Sequence, residues 1–404
     1  MSNIIFNQDH PSPHTGERSV LVNAHLHTPY SFSAFDSIPQ ALDMALEENV
    51  RVVGINDFYT TAGYEEWMAE CRKRALYPLF NIEFIALDED SQTHSIRVND
   101  PNNPGRTYLS GKGMAFPMRL DEPYASLLAG VTAESNDQVK AMCRKLNEVL
   151  RAHKAKFSLN IDDIERILTN GLIRERHLAK ALRLAVCTHF NNDEKKISAF
   201  FHDLFGGKAL KSDISDSAGV ENEIRGNLLK AGGAAFVPET SSAFLPVETI
   251  RQIILNGGGI PTYPFLADNP GGEYTDFEHP LKETMRALKE KGFWSVEFIT
   301  TRNGVELLEA YTVELWENGF VVTLGSEHNT PAMEPVELFA RHSVPLTDRL
   351  KQINFWGAAI IAAHQECISK GEEGYLNAHG KAKYALRDQF IAKGSALIES
   401  VVSQ

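Results

Sequence analysis

Two histidines separated by one residue stand near the start of the chain, in the stretch SVLVNAHLHTPY. An apolar run, Val20 to Val22, precedes them and predicts a β-strand that leads into His25 and His27. Because side chains alternate along a strand, the two imidazoles share one face of it. Neutral ring nitrogens placed in this way can both bind one metal ion. The spacing therefore predicts a divalent-metal site.

Polar or acidic residues also end several later β-rich segments. These segments read VVGINDFYT, PLFNIEFIA, GGGIPTYP, WSVEFI and VVTLGSEHNTP, and helical patterns separate most of them. Strands that alternate with helices are usually parallel, in a barrel or in a doubly wound sheet. Functional groups in such folds collect at the carboxyl ends of the strands. We therefore expect the polar ends of these segments to surround one site together with His25 and His27.

The bulk properties of the chain argue against several classes of function. The 404 residues suffice for one large domain with an insertion, or for two domains. The net charge of -13 argues against nucleic acid as a partner, because phosphate neutralisation needs a basic surface. The four cysteines form no CxxC pair and predict reduced thiols in a cytoplasmic protein. We recognise neither a signal peptide nor a membrane-spanning stretch, so we expect a small-molecule substrate and no membrane partner, and homo-oligomerisation stays open.

The order and content of these segments resemble the PHP family (polymerase and histidinol phosphatase), relatives of the metal-dependent amidohydrolases. The usual motifs of that family read roughly DLHxHTxYS, TDH, GxE, vHxLGY, aHP and GSDxH, and the resemblance covers about residues 19–335. It implies an α/β fold, a distorted (β/α)7-type TIM-like barrel. The reaction that it implies is hydrolysis of a phosphoester by a metal-activated water.

The resemblance also implies a set of metal ligands. His25 and His27 would bind a first metal ion, and Glu83 would bridge it to a second. Glu327 would complete the first site, at a position where an aspartate is usual. His94 follows Glu83 at a distance that suits the second-site histidine of the vHxLGY motif. The expected cofactor is one or two divalent ions of zinc, manganese or iron, since imidazole and carboxylate donors suit these metals.

Several motifs of this chain depart from the family pattern. Asn56, Asp57 and Phe58 stand where TDH is usual, so a side chain without a lone pair replaces the histidine ligand. Tyr263 stands in place of the histidine of aHP, and Asn329 in place of the last histidine of GSDxH. These departures fall mainly on positions that would hold a third ion. We therefore expect one well-occupied metal ion and a second, weaker one at most.

Four further residues are candidates for metal or substrate binding. Asp36 could match the acidic ligand that follows the first motif, and Tyr263 could bind as a phenolate or through water. His328 could replace Asn329 as a ligand if the register of the loop differs.

Two side chains at strand ends are candidates for catalysis. Asp57 could orient or deprotonate the attacking water, although aspartates at strand ends often support turns or neighbouring ligands instead. Arg302 could pair with a phosphate or carboxylate through its planar fork. Glu297 matches an acidic residue that is common in this strand of the family, and its simpler role is to support a ligand.

Two other segments supply further candidates. The Gly- and Pro-rich stretch from Asp100 to Pro117 predicts a loop that covers the site, in which Arg106 and Lys112 could hold an anionic group of the substrate or could simply be solvated. The segment GLIRERHLAKAL resembles the RPHIA segment in the helical insertion of one PHP branch, which places His177 at the matching, catalytic histidine. A polar cap on a helix is the alternative role of His177.

The pattern of elements predicts four parts of the chain. Residues 1–18 form a lead-in, and residues 19–120 and 231–345 form the barrel. Residues 121–230 form a helical insertion, and residues 346–404 form a C-terminal helical extension.

Three functions remain after this comparison of motifs. The first is a metal-dependent hydrolase of the PHP type that acts on a small phosphoester. The second keeps the metal and changes the reaction, to isomerisation or lyase chemistry on a sugar acid or to hydrolysis of an amide. The third is a non-catalytic barrel that binds a ligand, because a fold alone does not determine a function.

Overall fold

The computed structural model describes residues 20–240, 243–268 and 271–403, so the predicted lead-in lies outside the described residues. The strands are, in chain order, β1 (Leu21–Leu26), β2 (Val50–Phe58), β3 (Tyr77–Leu87), β4 (Arg106–Lys112), β5 (Leu245–Pro246), β6 (Ile260–Phe265), β7 (Ser295–Ile299), β8 (Val321–Gly325), β9 (Phe339–Ala340) and β10 (Val344–Pro345). The helices are α1 (Ile38–Glu47), α2 (Tyr64–Lys73), α3 (Glu89–Thr93), α4 (Tyr124–Ala152), α5 (Ile161–Leu168), α6 (Glu175–His189), α7 (Glu194–Leu204), α8 (Ser217–Ile224), α9 (Val247–Asn256), α10 (Leu281–Glu290), α11 (Val305–Glu317), α12 (Asp348–Ser369) and α13 (Arg387–Val402). A π-helical turn, Arg225–Leu229, continues α8.

The main sheet of the described residues curls into a nearly closed barrel. Its strands pair in the order β1-β2-β3-β4-β6-β7-β8, and β5 adds a short pairing with β3. Two backbone hydrogen bonds link the ends of the sheet, from His27 N to Glu327 O at 2.8 Å and from Glu327 N to His25 O at 3.0 Å. The α/β, TIM-like barrel predicted from the sequence is confirmed.

One strand of the barrel lies in the segment that the sequence predicted to be a loop. β4 runs antiparallel to both of its neighbours, β3 and β6, whereas the other pairs in the barrel path are parallel. The glycines and prolines that suggested a loop flank this strand, apart from Gly111, which pairs with Ile82. Alternate residues of β4, among them Ser110 and Lys112, therefore face the barrel interior.

A long helix, α12, packs against β8, β1 and β3. Its side chains form hydrogen bonds with backbone groups of these strands. Asn354 on α12 accepts from the N–H of Leu324 at 2.9 Å and donates to the carbonyl of Val22 at 3.0 Å. Gln365 accepts from the N–H of Phe80 at 2.8 Å. These polar contacts place the helix in one orientation, because buried backbone groups are costly to leave without partners.

A second apolar cluster lies within the helical part of the chain. It contains buried residues between Val139 and Ala235, from α4 through the π-helical turn. The barrel strands, α12 and α13 contribute to the other cluster. The domain boundaries predicted from the sequence stay a prediction.

No helix in the described ranges combines the length and the apolar character needed to cross a membrane. All four cysteines are free thiols.

Acid is expected to destabilise the fold through His364 on α12. Its Nδ1 accepts from the N–H of Tyr375 at 2.9 Å, and its Nε2 donates to the carbonyl of Gly258 at 2.6 Å. Burial lowers the pKa of His364 from 6.5 to about 4. The folded state therefore holds this imidazole neutral, while the unfolded state takes up a proton below pH 6.5. Its contribution to stability is complete above pH 6.5 and falls as the pH drops, by on the order of 3 kcal/mol at pH 4.

Urea unfolding between pH 4 and pH 7 measures this loss. The matched variant is His364→Gln, whose amide can still donate to Gly258 but does not titrate. Between pH 7 and pH 4, the free energy of unfolding of this variant should fall less than that of the natural chain. The difference should be about 3 kcal/mol. Equal pH dependence of the two proteins would contradict the prediction.

Candidate metal centre and adjoining cavity

The carboxyl end of β1 holds both histidines of the HLH stretch. His25 is the fifth residue of β1 and His27 follows its last residue, and both side chains are buried. Their Nε2 atoms lie 3.2 Å apart. The hydrogen bonds between this segment and Glu327 fix the end of β1 beside the end of β8. Two imidazole nitrogens therefore point to one position in the barrel.

Glu83 on β3 completes a three-residue cluster with the two histidines. Its Oε2 lies 3.0 Å from His27 Nε2 and 3.7 Å from His25 Nε2. Ligands bound about 2.0–2.1 Å from a tetrahedral zinc ion lie roughly 3.3 Å from one another. This oxygen is buried and has no hydrogen-bond partner in the structure. Both the spacing and the donor types fit a divalent cation, and no other group of His, Cys, Asp or Glu side chains in the described ranges converges in this way.

A buried ion pair holds the other ring nitrogen of His25. Its Nδ1 lies 3.0 Å from Glu297 Oε2, and the ammonium of Lys112 lies 2.6 Å from the same oxygen. Ser110 donates to Glu297 Oε1 at 2.5 Å. Burial opposes a charge on His25, but Glu297 and Glu83 raise the pKa of its imidazole to about 9. The field of the two carboxylates therefore favours positive charge here, and Glu297 orients His25 as carboxylates commonly orient metal-binding histidines.

The far nitrogen of His27 faces Ser31 and, beyond it, Asp57. His27 Nδ1 lies 3.3 Å from Ser31 Oγ, and the Ser31 hydroxyl donates to Asp57 Oδ1 at 2.6 Å. Thr28 donates to both oxygens of Asp57, through its N–H at 2.8 Å and its hydroxyl at 2.5 Å. The structure thus places Asp57, which we predicted to orient or deprotonate water, behind His27. There it supports the His27 ring and the loop that follows β1.

The residues on either side of Asp57 also contact the histidines. The Asn56 amide nitrogen lies 3.0 Å from His25 Nε2. The Phe58 ring stacks on the ring of His27 with centroids 5.0 Å apart. Phe58 supplies no donor, so it forms a wall beside the cluster.

Glu327 and Arg302 form an ion pair beside the cluster. Arg302 Nη2 lies 2.7 Å from Glu327 Oε2, so the carboxylate predicted to complete the metal site does not join the three converging ligands. Burial disfavours the charge of Arg302, but Glu327 raises the pKa of its guanidinium. Glu327 adopts a φ of 69° and His328 a φ of 58°, a left-handed conformation that costs on the order of 1–3 kcal/mol per residue. The role of Glu327 as a ligand stays a prediction that requires its side chain to leave Arg302.

His328 has partners for both ring nitrogens. Nδ1 lies 2.8 Å from Ser326 Oγ, and Nε2 donates to the carbonyl of Glu334 at 2.8 Å. Its ring also stacks on Phe35. His328 is therefore not brought to the metal cluster, whereas Asn329 lines the cavity described below.

Two predicted ligands, His94 and Asp36, lie on the surface, and the structure does not bring either of them to the cluster. His94 follows α3, and its side chain is 64% exposed beside Asp90. Asp36 is 81% exposed and lies 3.5 Å from the ammonium of Lys180. The segment that follows His94 forms β4, which pairs with β3, so Tyr108 on β4 lines the cavity and His94 does not.

The structure does not bring Tyr263 to the cluster either. Tyr263 is paired with Val296 in the sheet, whereas the inward-facing Glu297 is paired with Pro264. Period-two alternation therefore directs Tyr263 to the opposite face of β6. Its hydroxyl donates there to Glu278 at 2.9 Å.

His177 caps a helix in this structure and does not reach the cluster. Its Nδ1 accepts the backbone N–H of Arg174 at 2.9 Å at the start of α6. Burial lowers the pKa of His177 to about 3, which keeps the ring neutral and able to accept. The structure therefore shows His177 in the alternative role, a polar cap, and its catalytic role stays a prediction.

A cavity of about 1030 Å³ lies between the barrel and the helices that follow β4. Glu83, Arg302 and Glu327 line it on the barrel side. Arg106 lines it too, with its guanidinium 3.4 Å from Glu239 and 4.7 Å above the Phe244 ring. A cavity of this size accommodates an organic molecule of moderate size.

Lys112, predicted to hold an anionic group of the substrate, lies away from this cavity. It is fully buried against Glu297 and does not line the cavity. The side chains that sequence reasoning missed lie on β4, beside residues of motifs that were singled out, or in the helical segment without a motif. They are Ser31, Tyr108, Ser110, Arg174 and Arg225. Alternation along Tyr108, Ser110 and Lys112 would have indicated part of this set, had the segment been recognised as a strand.

Solved structures of other proteins share the fold of this chain, although their sequences differ widely from it. No protein-family model matches the chain, and no curated protein sequence matches it. Among solved structures, a proposed metal-dependent phosphoesterase from Bifidobacterium adolescentis ATCC 15703 aligns with a TM-score of 0.50 and 17% identity, over 83% of this chain and 96% of that one. An amidohydrolase from Chromobacterium violaceum, with bound sulfate and no metal, aligns with a TM-score of 0.51 and 14% identity, over 82% of this chain and 96% of that one. At these identities the likeness establishes the fold alone.

Proposed function

We propose that this protein is a metal-dependent hydrolase that cleaves a phosphoester bond in a small molecule. One observation carries the proposal: His25 Nε2, His27 Nε2 and Glu83 Oε2 converge at 3.0–3.7 Å, and the Glu83 oxygen has no hydrogen bond. Buried carboxylate oxygens are rarely left without a partner. A divalent cation held by these three atoms would supply Lewis-acid activation of water and of the bond under attack.

The residues of the chain around this cluster have distinct roles in the proposal. Glu297 and Ser31 hold the far nitrogens of His25 and His27. Arg302 lines the cavity and carries a planar fork that matches two oxygens of a phosphoryl group. When Arg302 binds such a group, Glu327 loses its partner and becomes available to accept a proton from water. On the cavity side of the cluster, Arg302 therefore supplies a positive charge that binds the substrate, and Glu327 supplies a base.

The two structural neighbours support this proposal in a limited way. One is named for metal-dependent phosphoester hydrolysis. The other was solved with bound sulfate, a tetrahedral anion of the same shape as phosphate. Both descriptions fit a barrel that binds tetrahedral oxyanions.

Hydrolysis of an amide, or isomerase or lyase chemistry on a sugar acid, is the second candidate. The observation that favours it is that the ligand atoms in the described residues converge on one position only, which suits a single cation. Phosphoester hydrolysis gains most from two cations, whereas one Lewis acid suffices to polarise a carbonyl group. A cluster with one cation therefore suits either chemistry.

Metal content and a substrate panel test the proposal together. Protein purified without chelator should contain about one equivalent of zinc, manganese or iron by mass spectrometry. With that metal added, phosphomonoesters should be hydrolysed, and amides and sugar acids should not react. Activity confined to amides or sugar acids would support the second candidate instead. Absence of bound metal, together with unchanged thermal stability after chelation, would contradict both and favour a ligand-binding barrel.

A further inference from the structure

The helical wall of the cavity carries an excess of positive charge. Four cationic side chains line it, from the start of α6 and from the π-helical turn and the residue after it. They are Arg174, Arg176, Arg225 and Lys230. Glu175 is the carboxylate that lies among them. We refer to these four cations as the cationic wall.

Glu175 neutralises only part of the cationic wall. Arg225 binds it closely, with Nη2 2.6 Å and Nε 2.7 Å from Glu175 Oε1. Arg174 is more distant, with Nε 4.0 Å from Glu175 Oε2. Arg176 donates to the uncharged side chain of Asn222 at 3.3 Å. Among the residues of the wall one carboxylate thus accompanies four cations, while Glu327 and Asp100 act on Arg176 and Lys230 from other parts of the cavity lining.

The unbalanced charge affects the cations themselves. Arg225, burial and Arg176 together lower the pKa of Lys230. Burial, and after it Arg225, lowers the pKa of Arg176 to about 10. Like charges that repel one another in a cavity are stabilised by an anion, and guanidinium groups bind phosphate and carboxylate oxygens in pairs.

The cationic wall lies close to the metal cluster. The Arg174 guanidinium carbon lies 4.5 Å above the Phe58 ring, and that ring is 5.0 Å from the ring of His27, so these contacts in series keep Arg174 within about 9.5 Å of His27. The Arg174 backbone is fixed by the hydrogen bond to His177. The cluster residue Glu83 and the cationic wall line the same cavity. One small molecule can therefore contact both.

We propose that the cationic wall binds a second anionic group of the substrate, a phosphate or a carboxylate. The substrate class is then a small molecule with two anionic groups, one at the metal cluster and the other at the wall. The two-group substrate rests on the proposed function, whereas anion binding by the wall does not. A small molecule is favoured over a nucleic acid because the wall lies inside a cavity of a chain whose net charge is -13.

Inorganic pyrophosphate is a direct probe of the cationic wall. Calorimetric titration of the full chain, treated with chelator and in low salt, should show binding that weakens as salt is raised. Lys230→Gln and Arg176→Gln should each weaken this binding about tenfold or more, because each removes one of the cations. Arg166→Gln is the matched control: it makes the same change of charge in the same helical region, on a side chain that is 69% exposed and does not line the cavity. Its affinity for pyrophosphate should stay within about twofold of the natural chain.

The outcomes separate this inference from the proposed function. In a His27→Ala variant, pyrophosphate binding to the wall should persist even though metal binding is lost. Failure of the natural chain to bind pyrophosphate, or equal affinity in Lys230→Gln, Arg176→Gln and the natural chain, would overturn the inference even if metal binds. Thermal unfolding of each variant checks that loss of affinity does not reflect loss of the fold.

Discussion

Glu83→Gln is expected to abolish stoichiometric binding of a divalent cation and to leave the fold intact. The substitution keeps the shape of the side chain but removes the charge of an oxygen that lies 3.0 Å from His27 Nε2. Loss of a residue that only orients a ligand commonly costs about 10–100-fold in metal affinity, so loss of a charged ligand should cost more. At metal concentrations about 100 times Kd, the natural chain should gain roughly 2.7 kcal/mol in its free energy of unfolding. Glu83→Gln should lose this gain.

Two further variants make the metal experiment specific. Glu65→Gln, an exposed residue on α2, is the matched control and should bind metal like the natural chain. Ser31→Ala should weaken binding by about 10–100-fold, because Ser31 contacts the far nitrogen of His27 and links it to Asp57 without itself being one of the converging ligands. Metal titrations followed by calorimetry and by thermal unfolding measure both effects. If Glu83→Gln binds one equivalent as tightly as the natural chain, the three converging atoms are not the metal site.

Lys112→Met is expected to destabilise the fold by about 3–5 kcal/mol, the cost of removing one partner of a buried ion pair. The Lys112 ammonium is fully buried and lies 2.6 Å from Glu297 Oε2. It also donates to the carbonyl of Ala24 at 3.2 Å. Ser110 and His25 still contact Glu297 after the substitution, so the effect should fall at the lower end of this range.

A double-mutant cycle isolates the ion pair from the other effects. Glu297→Gln added to Lys112→Met removes the carboxylate that the first change leaves without its ammonium. The double variant should therefore recover part of the lost stability, with an interaction energy of about 0.5–3 kcal/mol. Urea unfolding of the four proteins measures that energy. Additive effects of the two substitutions would show that Lys112 and Glu297 are not coupled and would contradict the arrangement seen here.

Local sequence patterns predicted the position of those site residues that lie on a single strand or at its end. The stretch from Val20 to His27 is apolar and then polar, so the placement of His25 and His27 on one face follows from the strand period. Glu83 is an acidic residue within an otherwise largely apolar strand, β3, which continues to Leu87. The barrel itself was predictable because strands and helices alternate over most of the chain.

The predicted site residues that the structure does not bring to the cluster are those whose placement depends on the pairing of distant strands. His94 was assigned by its distance from Glu83 along the chain, and Lys112 because its segment was predicted to be a loop over the site. Neither assignment took account of β4, which enters the barrel antiparallel between β3 and β6. That insertion gives the place beside Glu83 to Ser110 and buries Lys112 against Glu297. Tyr263 lies away from the cluster for a related reason, since the inward face of β6 is set by its register with β7.

The sequence by itself determined which side chains are able to bind a metal ion and which of them share a face, because donor chemistry and the strand period are local properties. Only the tertiary structure decided which donors meet. It brought Glu83 to His25 and His27, paired Arg302 with Glu327, and placed the cationic wall across the cavity from the cluster. These contacts join residues that are far apart in the chain. They depend on the pairing and register of the whole barrel, which no local pattern encodes.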